Sequence, residues 1–568
     1  MGEDQGAVGL RQARSLIAGL IEGGVRDAVI SPGSRSTPLA LACLRHEKVS
    51  CRILIDERSA AFFALGVARA TGRPVVVVAT SGSAPANWYP ALIEAHEDHV
   101  PLVFVSADRP PELQDCGANQ TTDQVAMFGR RVRAHLSLAP ASGQRQDLAY
   151  ANSVGVRAAD FALWPHPGPV HVNAAFREPL VPTGLHHPPG ASSPDYRPAR
   201  VARPESTPDR WAIGEIGRVL ASGRGVIVCG PCAQAEIDPA GLVRLAEKCD
   251  APILSDPLSG LRHGPWPKRA VISCYDALLR ETAPGIPDWL LQFGGTPVSR
   301  SLQQWMSRPD MPHAMIIAKH PPWSDPSLRA GLVVHAEPCL AADMLCDMSS
   351  SVSRGDWLAR WRKADDAIAA QLSVSKTVPA EATLMRALID VVPQHASVFL
   401  GNSMVIRDAD SFLTVRDSHL AVFGNRGVSG IDGNVSTAAG IASATEGPTI
   451  AVVGDVALFH DLNALSLAAR HSLTVVVVNN GGGAIFGYLP QRQLPEFDRA
   501  WLTPPELDFA RAAELFGLAC YRVDEGADPA PGLQAALSQR GGAVVDLVVN
   551  RERSLAAHRD WWQLSAGD

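Results

Sequence analysis

Residues 448–483, PTIAVVGDVALFHDLNALSLAARHSLTVVVVNNGGG, constrain the fold of this chain more than any other stretch. A β-branched apolar run at 449–453 turns at Gly454-Asp455 into a helical period with Leu458, Leu462, Leu465 and Ala469 on one face. A second apolar run, 473–478, ends in Asn479-Asn480 and three glycines. Two parallel strands joined by a helix bring both polar ends to one carboxyl edge, where α/β sheets take ligands. Asp455 offers a carboxylate and Asn480, 25 positions later, an amide oxygen, while the glycines let backbone groups approach closely. Oxygen donors in this pattern suit a hard cation that holds a diphosphate.

A chain of 568 residues is too long for one core and predicts about three domains. Apolar residues at 46% against 19% charged ones exclude a disordered chain. A net charge of −7 gives no support for nucleic-acid binding, and no apolar run approaches the ~20 residues of a membrane span. The first residues, MGEDQGAVGLRQAR, do not resemble a secretory signal. Ten cysteines scattered over the chain point to a reducing compartment, so a cytoplasmic location is expected. Cys229-Gly230-Pro231-Cys232 has the spacing of a redox pair but follows a strand as an ordinary turn would. His96 and His99 lack a third metal ligand.

The rest of the chain alternates strands and helices across short loops, which predicts doubly wound parallel sheets. Strands are expected at 27–30, 52–55, 74–79 and 102–107, then at 225–228, 289–293 and 314–317. The expected division is a first α/β domain over 1–181, a proline-rich linker over 182–208 and a central α/β domain over 209–347. A serine-bearing linker over 348–356 and a third α/β domain over 357–568 complete it. Glu57 follows a strand end and precedes the apolar run 60–65, where poor solvation would raise a carboxyl pKa.

The segments SPGSRSTP (31–38), DERSAAFFALG (56–66), TSGSAPANWYPALIEA (80–95), ADRPPEL (107–113) and GANQTTDQ (117–124) form a set with GNSMVIR (401–407), GNRGVSGIDG (424–433) and NNGGGAIF (479–486). The 448–483 stretch resembles the thiamin-diphosphate (ThDP) motif, and the whole set resembles the ThDP-dependent synthases of the menaquinone pathway, the MenD family. That resemblance implies pyrimidine-binding, central and diphosphate-binding domains in this order. It implies decarboxylation of 2-oxoglutarate, 1,4-addition of the succinyl unit to isochorismate, and self-association as a dimer or tetramer whose active sites are shared between subunits. Glu57 would activate the aminopyrimidine ring of ThDP. Asp455, Asn480 and the Gly482 carbonyl would hold Mg²⁺ or Mn²⁺, both of which accept oxygen donors. Ser403, Gly454, Val456 and Gly483 would border the cofactor, Ile431 would support its bent form, and Ile485, Phe486 and Leu489 would wall the thiazolium side.

Both substrates are dicarboxylates and need several guanidinium forks. Arg35, Arg109, Arg407 and Arg426 supply them, with Ser34, Gln120 and Ser403 as neutral donors. In the central domain Arg300 is followed by Ser301, where the resemblance implies two adjacent basic residues. Another ThDP-dependent decarboxylase or carboligase would need fewer arginines, and a silent ThDP-binding regulator would not need an intact Glu57.

Overall fold

The computed structural model describes residues 4–183, 199–233, 236–281, 283–320, 323–349, 351–374 and 378–564. Among them are three six-stranded, all-parallel sheets. The first holds β1 (Asp27–Ile30), β2 (Ser50–Ile53), β3 (Val75–Ala79), β4 (Leu102–Asp108), β5 (Ala134–Leu138) and β6 (Pro169–Ala175), in the order β2-β1-β3-β4-β6-β5. The second holds β7 (Gly225–Cys229), β8 (Ile253–Ser255), β9 (Val271–Ile272), β10 (Trp289–Phe293), β11 (Ala314–Ala318) and β12 (Ala330–His335). Its order, β12-β11-β10-β7-β8-β9, is that of dinucleotide folds. The third holds β13 (Ala396–Leu400), β14 (Leu420–Phe423), β15 (Thr449–Gly454), β16 (Thr474–Asn479), β17 (Ala519–Val523) and β18 (Ala543–Val548), ordered β14-β13-β15-β16-β18-β17. First and third sheets therefore share one topology without a sequence repeat.

Burial on both faces explains the unbroken apolar runs. Val75 to Val78 and Val475 to Val477 are almost wholly inaccessible. Along β7, Val226 and Val228 enter one core while Ile227 and Cys229 enter another, so both faces of that sheet are covered.

Contacts group the chain into two compact units, residues 1–203 with 425–444 and residues 204–424 with 445–568. The second unit carries two sheets. Within it, one apolar core runs from the middle sheet (Val226, Leu290) to the third (Val398, Ile450, Val476). In the first unit the helix Asn434–Ala442 lies on the helix Glu57–Thr71 at glycine crossings. A Cβ on Gly66 would stand 2.0 Å from the Thr437 carbonyl, and one on Gly440 2.0 Å from that of Phe63.

Several local expectations change. The helix after Gly454-Asp455 is two short helices, Asp455–His460 and Leu465–Arg470, with a 3₁₀ turn at Leu462–Ala464. Asp461, fully buried at φ −120°, breaks the helical phase, so Leu467 and Ala468 are buried while Leu462 and Ala469 are half-buried. The strand expected at 52–55 is Ser50–Ile53, and its helix starts at Glu57 rather than Ser59. Asp56 caps that helix by accepting the Ser59 N–H at 3.0 Å. The helix Trp357–Val374, read as the start of the third domain, packs on the middle sheet: Trp357 Nε1 donates to the Gly225 carbonyl at 2.9 Å. Asp365 accepts the amides of Ser273 and Cys274. Most of the proline-rich stretch 182–208 lies outside the described residues.

Candidate active site

β15 and β16 are neighbours with Gly454 opposite Val478, so the Gly454-Asp455 and Asn479-Asn480 turns leave the third sheet side by side. Asp455 is 1% exposed. Its carboxylate accepts the Val456 amide at 2.7 Å and the Gly482 amide at 2.8 Å. Burial pushes its carboxyl above the ordinary Asp range, and the surrounding amides of Gly482, Val456, Gly481 and Asn480 pull it back. The Asn480 Oδ1 is buried with no hydrogen-bond partner among the described residues. Gly481 and Gly482 have φ of 73° and 125°, and a Cβ on Gly482 would stand 2.1 Å from the Leu502 carbonyl. A Cβ on Gly454 would meet nothing within 4 Å, which leaves room against the backbone. A buried carboxylate, an unsatisfied amide oxygen and an open glycine backbone fit a hard cation with a diphosphate.

The turn Ala484–Tyr488 follows, with Ile485 and Phe486 half-buried and Leu489 36% exposed just beyond it. Ser403 precedes the helix Met404–Phe412 in the left-handed region, φ 68° and ψ −123°, a strained position for a residue with a Cβ. Arg407, one turn on, is exposed and donates to the Ser403 carbonyl. Arg300 is exposed at the start of the helix Arg300–Met306, but its neighbours turn inward. The Ser299 and Ser301 hydroxyls donate to Asp276 Oδ1 at 2.7 Å each, and Ser411 donates to Oδ2 at 3.0 Å. Ser301, where a second basic residue would stand, thus ties the Arg300 helix to the helix of Arg407.

The first unit gathers Ser34, Arg35, Arg109 and Gln120 at the carboxyl edge of its sheet. Arg35 is buried and donates to the Phe176 carbonyl at 3.0 Å and the Glu178 carboxylate at 2.9 Å; its Nε is buried without a partner. Arg109 donates to the Ser81 hydroxyl and, at 2.6 Å, to the Gln120 carbonyl. Burial, then the like charge of Arg35, lowers the Arg109 pKa below the usual guanidinium value. Two guanidiniums close enough to repel are a natural receiver for an anion. Ser34 is exposed, while Arg426 and Ile431 are half-buried on the segment 425–444. Glu57 is half-buried within one chain, not enclosed as expected, because it opens a helix at the unit's surface, two residues after the 84% exposed Ile55.

The sequence reading missed three polar residues behind this edge. Gln124 is fully buried, donates to the Ala107 carbonyl and to Asn173 Oδ1, and accepts the Gly82 amide at 3.1 Å. Asn173 donates to Asp108 at 2.8 Å. Ser81 and Gln124 lie inside motifs already singled out, whereas nothing local marks Asn173.

The remaining motifs have structural explanations. Gly230 packs on the turn after β10, where its Cβ would stand 1.8 Å from the Gly295 carbonyl, so the switch-point crevice of the middle sheet is filled by its own turns. A hydrogen bond with Cys229, together with burial, holds the Cys232 thiol well above its ordinary pKa, the reverse of a reactive thiol. Arg133 lies against the His96 and His99 rings, and burial followed by its charge lowers both imidazole pKa values. Among the described residues no group of three or more His, Cys, Asp or Glu side chains is arranged around a metal site. No described helix is long and apolar enough to cross a membrane.

Comparison with known proteins accounts for all three sheets. Residues 11–127 match the N-terminal TPP binding domain of thiamine pyrophosphate enzymes, 215–400 the middle domain and 409–547 the C-terminal TPP binding domain. A 2-succinyl-5-enolpyruvyl-6-hydroxy-3-cyclohexene-1-carboxylate synthase of Dechloromonas aromatica is 41% identical over 548 residues, 96% of this chain and 99% of that protein. The chain belongs to this synthase family. Synthases of the same name from Geobacillus kaustophilus (40% identical, 97% of this chain and 96% of the relative) and Bacillus cytotoxicus (37%, 95% and 94%) agree. Within this family the Asp455–Asn480 edge belongs to the C-terminal TPP binding domain, and Arg35, Glu57 and Arg109 to the N-terminal one.

Proposed function

We propose that this protein decarboxylates 2-oxoglutarate and adds the succinyl unit to isochorismate. The product is 2-succinyl-5-enolpyruvyl-6-hydroxy-3-cyclohexene-1-carboxylate, a step of menaquinone biosynthesis. One observation carries the assignment: similarity to synthases of that name runs over almost the whole of both chains. Bound ThDP would supply a nucleophilic thiazolium carbon and a sink for the electron pair left behind when carbon dioxide departs.

The chain's own groups do the rest. Glu57 hydrogen-bonds the aminopyrimidine ring and governs its proton. Asp455, Asn480 and the Gly482 carbonyl hold Mg²⁺ or Mn²⁺; the buried, unpartnered Asn480 oxygen supports this role. Gly454, Val456, Gly483 and Ser403 border the diphosphate and the ring next to it. Ile431 would support the cofactor, while Ile485, Phe486 and Leu489 would keep water from the reacting carbon. Ser34, Arg35, Arg109 and Gln120 form one receiver for substrate carboxylates; Arg300, Ser403, Arg407 and Arg426 supply further donors.

The first sheet is the pyrimidine-binding domain (1–181), the second the central domain (209–347) and the third the diphosphate-binding domain (357–568), whose first helix leans back on the second sheet. Glu57, half-buried beside the exposed Ile55, needs another surface to enclose it, which favours a dimer or tetramer with active sites shared between subunits. The protein works in the cytoplasm. Incubation with ThDP, Mg²⁺, 2-oxoglutarate and isochorismate, followed by mass analysis, should yield the coupled product. Carbon dioxide without it would mean a plain decarboxylase.

A further inference from the structure

Glu94 lies in the helix Tyr89–Glu97 and is 1% exposed. It serves none of the roles above, yet both its oxygens are engaged. Oε1 accepts the Gly427 amide at 2.8 Å and Oε2 the Val428 amide at 2.7 Å. Arg69, in the last turn of the helix that begins with Glu57, pairs with Oε1 at 3.0 Å and with Asp98 at 2.5 Å. Burying a carboxylate is costly, and a side chain that merely filled space there would be apolar. The two amides it holds follow directly after Arg426, and Ile431 lies three residues beyond Val428. The loop also comes too close for a side chain at 427, where a Cβ would stand 2.6 Å from the Glu94 carbonyl.

We propose that Glu94, braced by Arg69, is a positioning residue that fixes the 426–431 loop so that Arg426 meets a substrate carboxylate and Ile431 meets ThDP. This rests on the proposed roles of Arg426 and Ile431. Charge-assisted bonds to two successive amides fix the position and the tilt of the loop together, which a single hydrogen bond does not. A glutamine has one acceptor oxygen and turns its NH₂ toward an amide that also donates, so Glu94→Gln frees half the loop while keeping side-chain volume.

The test is steady-state kinetics with ThDP titrations on Glu94→Gln, Arg426→Ala and the double variant. Glu94→Gln should raise the KM of at least one substrate and the ThDP half-saturation about tenfold, the effect of losing a hydrogen bond to a charged group. In the Arg426→Ala background it should change substrate KM less than about twofold, because Glu94 acts on that substrate through Arg426. Wild-type KM and ThDP half-saturation in Glu94→Gln, or full multiplication of the two KM effects, would overturn the proposal. If Arg426→Ala itself leaves both KM values unchanged, the role of Arg426 fails, and Glu94 is judged on ThDP half-saturation alone. Should Glu94→Gln not fold, Gly427→Ala displaces the same loop from the other side and must give the same pattern.

Discussion

The first and third sheets have the same strand order, but their carboxyl edges are finished in opposite ways. At the first, the charged groups lean on their own chain: Arg35 rests on Phe176 and Glu178, with only its Nε left over among the described residues, and Arg109 rests on Ser81 and Gln120. At the third, Asp455 accepts backbone amides and the Asn480 oxygen has no hydrogen-bond partner among the described residues. If the first edge is the proposed receiver for exchangeable substrates, it has to stand between turnovers, and its arginines then need resident partners. A site that keeps its ligand can leave its bonds for the ligand to complete.

Attacks on the two edges should therefore differ in kind. Glu57→Gln with the fold retained should cost roughly 10³-fold in turnover, within the range for a lost acid–base group; undiminished carbon dioxide release would remove Glu57 from the chemistry. Asp455→Ala should weaken ThDP binding, read by fluorescence titration with Mg²⁺, beyond the roughly 100-fold cost of losing a mere supporting partner of a ligand. Arg109→Lys keeps the charge but loses the fork, and should raise one substrate's KM about tenfold with ThDP binding unchanged. A shift in ThDP affinity there would dissolve the distinction between the edges.

The acid limit sharpens it further. The Asp455 carboxyl titrates above the ordinary Asp range because it is buried. If Asp455 holds the cation as proposed, its charged form is present above that raised value and is lost as pH falls through it, so the affinity of the metal-free protein for Mg²⁺ should decline with falling pH before ordinary carboxylates protonate. Undiminished Mg²⁺ affinity of the metal-free protein down to the ordinary Asp range would contradict this. The smallest effect belongs away from both edges. Cys232→Ser should change turnover less than about twofold, since the thiol is held protonated.

The central strands were legible because burial on both faces writes unbroken apolar runs such as 75–78 and 474–478. Edge strands were less so: β2 and β17 are half-exposed and carry no such run, so β2 was placed two residues late and β17 was not read. Asp455 and Asn480 could be paired from sequence because one strand–helix–strand unit fixes their separation. Gln124 could not be paired with Asn173, because they stand 49 positions apart with β5 and a long helix between them. The apolar face of the helix Trp357–Val374 said that something covers it, and its spacing could not say which sheet. The break at Asp461 was hidden for a related reason: a buried aspartate interrupts the helix without a glycine or proline to mark it.

Residues 425–444 are counted by sequence with the third sheet and by contact with the first. The chain thus crosses between its two units three times, at 203/204, 424/425 and 444/445. No single cut can release either unit whole, and a fragment ending at residue 203 would leave the groove at Gly66 bare. This makes the protein a poor donor of exchangeable modules: an N-terminal piece grafted from a relative would have to bring its own version of a segment encoded more than 200 residues downstream.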